Sequence, residues 1–202
     1  MRPADPKAHE TIVRAALQEM LAHGFHGTSL DRVCQAAGVT KGKFFHYFKG
    51  KEDLAQAVLM HFGGEMEALW AQSGALTQAD PMMGLMAYLD KIIGRFQDPI
   101  QDSCISGVFI QEVSQNHPEL RQMCNKGLSH MAERVEGLLK QVFLQQGMGP
   151  QVSPRGLAEH FIVVLQGAFI LAKAKQSPRP VADHLTHYKY YLMAMVARRV
   201  GS

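Results

Sequence analysis

Residues 28–51 read Thr28-Ser29-Leu30-Asp31-Arg32-Val33-Cys34-Gln35-Ala36-Ala37-Gly38-Val39-Thr40-Lys41-Gly42-Lys43-Phe44-Phe45-His46-Tyr47-Phe48-Lys49-Gly50-Lys51. The spacing of Leu30, Val33, Cys34 and Ala37 predicts a short helix with one inward face. Thr28 is its expected N-cap, with Asp31 three residues on as a capping-box-like partner. Gly38 ends that helix. Thr40 then opens a second, very short one that closes near Phe48. Two short helices joined by a tight Gly-containing turn have the spacing of a helix-turn-helix, whose second helix enters the DNA major groove.

Charge points the same way. From Arg32 to Lys51 the chain carries Arg32, Lys41, Lys43, Lys49 and Lys51 and no acid. Lys41 and Lys43 fall in the first helical turn after Thr40, where the helix dipole disfavours cations. An anion in front of that end resolves the conflict, and DNA phosphates are the natural source. Phe44 and Phe48 are one turn apart and should pack inward. Phe45, His46 and Tyr47 then point elsewhere, towards DNA backbone or thymine methyls. The competing readings are core packing for any one aromatic and a plain solvated face for the basic run. Gly38-Val-Thr-Lys-Gly42-Lys43 mimics a phosphate-binding loop. It has three residues between its glycines rather than four, and Phe44 where a magnesium-holding hydroxyl belongs, so it is rejected.

Outward from this stretch the periodicity is helical nearly everywhere. Asp5-Pro6 should open a first helix with Ile12, Val13, Ala16, Leu17, Met20 and Leu21 on its buried side, stopped by Gly24. Glu52 and Asp53 begin a fourth helix, which we expect to continue through Gly63-Gly64 as a locally weak segment. Asp80-Pro81, residues 104–115, His117-Pro118, Ser153-Pro154 and the segment after Pro178–Pro180 mark further helices. The expected architecture is all-α with about nine helices. Residues 1–50 form a three-helix DNA-binding domain, and residues 51–202 a larger body for effector binding and dimerisation.

Composition narrows the class. The chain has 202 residues, 47% hydrophobic and 19% charged, which excludes a mostly disordered protein. A net charge of +3 requires any nucleic-acid affinity to be local. Three cysteines without framework spacing suit a reducing cytoplasm. The opening MRPADPKAHE has no apolar run of a signal peptide. The apolar stretch Phe161–Ala172 is broken by Gln166 and reads as too short to cross a bilayer. The expectation is a cytoplasmic protein without membrane contact.

The ungapped run from Gly24-Phe25 through Thr28-Ser29-Leu30, Val33-Cys34, Ala37-Gly38-Val39-Thr40-Lys41-Gly42, Phe44-Phe45-His46-Tyr47-Phe48 and Lys51-Glu52-Asp53-Leu54 resembles the TetR family of bacterial transcriptional regulators. The motif covers about the first quarter of the chain, and the nine-helix layout fits as well. The resemblance implies a homodimer on a palindromic double-stranded operator and a small-molecule effector that releases it, usually from repression. It also implies DNA contacts from Thr28, Ser29, Arg32, Thr40, Lys41, Gly42, Lys43, Phe45, His46, Tyr47 and Lys51. Within these, Thr28 caps its helix and touches phosphate, Lys43 lies near base edges, and Tyr47 and Lys51 hold phosphate. Phe45 stands where the family usually has Tyr, so one hydroxyl contact is lost. Cys34 replaces a usual Ala.

In the body, the last two helices look apolar on more than one side. Phe161, Val164, Ala168, Leu185, Tyr188, Leu192 and Met195 are the expected dimer residues, a role the resemblance supports; the alternative is an ordinary core pair. Met66, Trp70, Met86, Phe96, Cys104, Phe109, Met123 and Leu165 are candidate effector contacts, with core packing the alternative for each. His184-x-x-His187 has one-turn spacing but no accompanying ligand set, so neither a metal nor a cofactor is expected. No catalytic constellation appears, and an enzyme is not expected. Cys104 should lie at a helix start, and the run to Leu120 resembles a subgroup in which a cysteine here senses electrophiles or oxidants. An inert buried thiol is the competing reading. The alternative function is a helix-turn-helix protein without an effector, controlled by a protein partner.

Overall fold

The structure is a computed structural model, and it describes residues 6–98, 103–113, 115–148 and 152–197. Among these are nine α-helices and no strand. They are α1 (Pro6–Gly27), α2 (Leu30–Ala37), α3 (Lys41–Tyr47), α4 (Lys51–Gln72), α5 (Pro81–Arg95), α6 (Ile105–Val113), α7 (Pro118–Gln145), α8 (Pro154–Lys175) and α9 (Arg179–Ala197).

The chain divides into two compact units, Met1–Glu65 with Ser103–Gly127, and Met66–Asp102 with Leu128–Ser202. Compactness therefore does not follow the chain at residue 50. The start of α4, all of α6 and the start of α7 belong with the N-terminal helices.

In the first unit, α1 buries Ile12, Val13, Ala16, Leu17, Met20 and Leu21, as its two adjacent apolar rows require. Asp5, its expected cap, lies outside the described residues. The helix breaks at Gly24 (φ 74°, ψ 178°) before a last turn to Gly27. The cap of α2 is Ser29, whose hydroxyl accepts from the Arg32 amide, and not Thr28. Thr28 is buried, and its hydroxyl donates to the Gly24 carbonyl at 2.8 Å. The one-residue slip has a physical cause. The orphan carbonyl at the break in α1 takes the Thr28 hydroxyl, leaving Ser29 to satisfy the first amides of α2. Gly38 closes α2 in the left-handed conformation (φ 64°), its amide donating to Cys34 and Gln35 carbonyls. Helix α3 is capped by Thr40 and stops at Phe48. Helix α4 runs unbroken through Gly63-Gly64.

In the second unit, Asp80 caps α5 and Ser153 caps α8, each with proline in the first turn. Helices α8 and α9 pack along each other, and α5 packs on α9. Helix α8 has 22 residues and is, by length and composition, long and apolar enough to cross a membrane, which corrects the reading that it is too short. Its helix extends well beyond Phe161–Ala172, and one face is committed to the core through Leu157, Ala158, Phe161, Leu165, Ala168, Phe169 and Ala172.

Candidate nucleic-acid interface

Phe44 and Phe48 are buried and stack with ring centroids 5.5 Å apart. They anchor α3 by its inner edge, as their one-turn spacing requires. The other edge is consequently outward: Lys41, Gly42, Lys43, Phe45 and His46 are all exposed. Phe45 is 55% exposed, a large apolar ring presented to solvent on a helix of seven residues. Ser29 and Arg32 are exposed on α2. Tyr47 is half-buried, its ring 6.1 Å from that of His9. These residues form one surface within the first unit, because α2 and α3 pack directly on each other and α2 on α1.

Three of the residues expected at the DNA have partners within the chain. Thr28 is turned inward and offers no hydroxyl to a phosphate. Lys51 donates to the Thr28 carbonyl at 3.1 Å and to the His26 carbonyl at 3.4 Å, with its ammonium 4.7 Å over the Phe25 ring. It ties the α1–α2 junction to the start of α4. Lys41 pairs with Asp31 at 2.7 Å, so part of the conflict at the start of α3 is answered within the chain. That carboxylate raises the pKa of Lys41, chiefly through its hydrogen bond. Asp31 stands one residue before the acid-free run and was therefore missed as part of the surface.

The expected dimer residues differ in burial. Phe161, Ala168, Leu185, Tyr188 and Leu192 are buried within the chain's own core. Tyr188 donates to the Leu157 carbonyl at 2.8 Å, and burial pushes its pKa up. Val164 and Met195 are half-buried. The exposed apolar groups on these helices are instead Val163, Ile170 and Leu171 on α8 and Tyr190, Tyr191 and Met193 on α9. The two exposed rows adjoin: His160 and Tyr191 have ring centroids 6.1 Å apart. Two rows one step apart on the same apolar helix cannot be told apart by composition.

The effector candidates fall in both units. Met66, Trp70, Met86, Phe96 and Leu165 belong to the second, where Trp70 meets Tyr88 edge-on at 4.8 Å and Phe96 meets Phe169 at 4.7 Å. Arg134 lies 5.4 Å over Trp70 and pairs with Glu67. Cys104, Phe109 and Met123 belong to the first, where Phe109 packs against Phe25 at 5.7 Å. Among the described residues, no group of three or more His, Cys, Asp or Glu is placed to hold a metal.

Two family models match the chain: "Bacterial regulatory proteins, tetR family" over residues 12–58, and "Tetracyclin repressor-like, C-terminal domain" over residues 81–188. The second spans more than half of the sequence. The chain belongs to the TetR family of bacterial regulatory proteins. It is similar to the transcriptional regulator AcuR of Cereibacter sphaeroides, 25% identical over 175 residues, covering 86% of this chain and 80% of the relative. It is also similar to the HTH-type transcriptional repressor NemR of Escherichia coli K12, 28% identical over 188 residues, covering 89% and 91%. A solved TetR transcriptional regulator from Chloroflexus aurantiacus shares the fold with a TM-score of 0.82, at 23% identity over 96% of this chain and 97% of that one.

Proposed function

We propose that the chain is a transcriptional repressor of the bacterial cytoplasm that binds a palindromic operator as a homodimer and is released by a small molecule. The observation that carries this reading is the outward edge of α3. Lys43, Phe45 and His46 are exposed together on a helix held by Phe44 and Phe48, in a family of bacterial regulators. Lys43 and His46 supply hydrogen-bond donors for base edges and phosphates, and Phe45 supplies apolar contact for thymine methyls. Ser29, which caps α2, and Arg32 on α2 are exposed and offer donors to the backbone of a bound duplex. Residues 1–50 do the DNA reading, and residues 51–202 carry the effector site and the dimer face.

Repression rather than activation is supported by the likeness to the transcriptional repressors NemR and DhaR, the latter 25% identical over 179 residues. Dimerisation is supported by the adjoining exposed rows of α8 and α9, which leave Val163, Ile170, Leu171 and Tyr191 in water in a single chain. That second exposed face also accounts for the apolar length of α8 without a membrane. Trp70, Phe96, Met86 and Leu165 in the second unit are the proposed effector neighbourhood.

Selection of bound duplex from a random pool tests the reading. Enrichment of an inverted repeat supports it, with half-sites spaced for two recognition helices, about 34–36 Å or a multiple apart. A single non-repeated site, or no enrichment, overturns it.

A further inference from the structure

The pairing of Asp31 with Lys41 has a consequence for DNA binding. Lys41 is the first residue of α3, and Asp31 is in the first turn of α2. The Lys41 ammonium and the Asp31 carboxylate are 2.7 Å apart, with side chains 61% and 72% exposed. Among the described residues, Lys43, two positions on, has no such carboxylate partner. An ion pair this exposed is weak in water. It is weak enough for a phosphate to compete for the ammonium, and close enough to hold the charge while none does.

We propose that Asp31 is an internal competitor for DNA phosphate: by holding the Lys41 ammonium it withdraws one positive charge from the helix-turn-helix and limits the sequence-independent part of DNA affinity. This rests on the DNA-binding reading above. On a duplex of arbitrary sequence, contacts are mobile and phosphates are not held in register with Lys41. The pair stays closed there, and Lys41 displaces no counterion. Counterion release dominates such binding, so each withheld cation reduces both the affinity and its steepness with salt. A phosphate contact carries no base information. The effect of Asp31 is therefore on how strongly unrelated DNA is held, and not on which bases are read. A repressor with this device has a lower background occupancy of unrelated DNA than its count of lysines and arginines suggests.

The test uses the full chain and a duplex of unrelated sequence, with affinity measured as a function of KCl. Asp31→Asn should steepen the log–log slope by about 0.9, the share of one phosphate. Affinity should then fall about 3–4-fold more than for wild type between roughly 50 and 200 mM. Lys41→Gln should leave the slope unchanged in the wild-type background and remove the gain in the Asp31→Asn background. Asp183→Asn on α9 changes net charge equally and should leave the slope alone. Circular-dichroism melts check that the variants are folded, which the exposure of both side chains favours. The proposal is overturned if Asp31→Asn keeps the wild-type slope, or if Lys41→Gln lowers the slope equally in both backgrounds. A wild-type chain that binds without salt dependence would instead remove the DNA-binding reading itself.

Discussion

Glu112 of α6 stands against Gly24 of α1. Its carboxylate accepts a hydrogen bond from the His26 amide at 2.8 Å, and a Cβ added to Gly24 would lie 1.9 Å from its Oε1. The absent side chain is what lets α6 close the break in α1. Gly24 also has φ 74° and ψ 178°, a conformation that is essentially reserved for glycine. Gly24→Ala therefore incurs backbone strain and pushes Glu112 off the His26 amide. The expected loss is about 2.5–6 kcal/mol of unfolding free energy, from strain of about 1–3 and a charged hydrogen bond of about 1.5–3. Glu112→Gln keeps an acceptor oxygen and should cost less than Glu112→Ala. Urea unfolding measures all three; an unchanged midpoint for Gly24→Ala would contradict the geometry.

Lys51 gives a second prediction, because its ammonium is engaged with the His26 and Thr28 carbonyls. Lys51→Met should destabilise the chain by about 1–2 kcal/mol through two unmet carbonyls and the lost contact with Phe25. DNA affinity should drop with little change in salt slope, since no phosphate contact is removed. Lys43→Ala should do the reverse, keeping stability and lowering the slope by about 0.9. Equal slope changes for the two variants would return Lys51 to the phosphate-binding set.

The two variants also show what was legible in the sequence. Helix existence was legible, because Gly38, Asp80-Pro81 and Ser153-Pro154 are punctuation with a local mechanism. The inward placement of Phe44 and Phe48 followed from helical spacing alone. The roles of Thr28, Lys51 and Lys41 did not, because each is set by a partner distant in sequence or just outside the motif. Thr28 answers the break at Gly24, Lys51 reaches back to residues 26 and 28, and Lys41 finds Asp31. The same limit applies to α8, where Phe161 and Val163 are both apolar. Phe161 is core because it packs against Tyr88 of α5 and Tyr188 of α9, while Val163 is exposed.

The cysteines make a pH prediction. Cys34, Cys104 and Cys124 are all buried free thiols. Burial, with Cys104 nearby, pushes Cys124 up from 9.0 to about 12, and burial with Asp31 raises Cys34. A folded pKa above the unfolded one means the folded state keeps its proton longer. The stabilisation is therefore complete below pH 9 and lost as pH rises towards about 12. Cys124→Ala should flatten stability against pH in that window. At neutral pH the raised pKa of Cys34 and Cys124, and the burial of all three thiols, predict slow alkylation of the native protein. Peptide mass mapping after brief iodoacetamide treatment reads this directly. Preferential labelling of Cys104, with operator release lost in Cys104→Ser, would instead make that thiol the sensor; equal protection leaves a non-covalent effector.

Assembly gives the last prediction, and the burial of residues on α8 and α9 determines which of them test it. Phe161→Asp or Leu192→Asp would put a charge into the chain's own core, where both side chains are buried. Such variants should unfold, so their loss of a dimer would say nothing about the partner face. Val163 is 66% exposed and Ile170 59%, and Tyr191 stands on the adjoining row of α9. Val163→Glu with Ile170→Glu places two like charges on a surface that would meet its own copy, and like charges facing each other oppose association. The expected result is a folded monomer, with the wild-type helical signal and melting close to that of the dissociated wild-type chain. Operator affinity should fall steeply, since one recognition helix holds only one half-site. Sedimentation velocity across a concentration series distinguishes the cases. A double variant that still sediments as the wild-type dimer moves the interface away from this face, whereas dissociation without unfolding assigns it here.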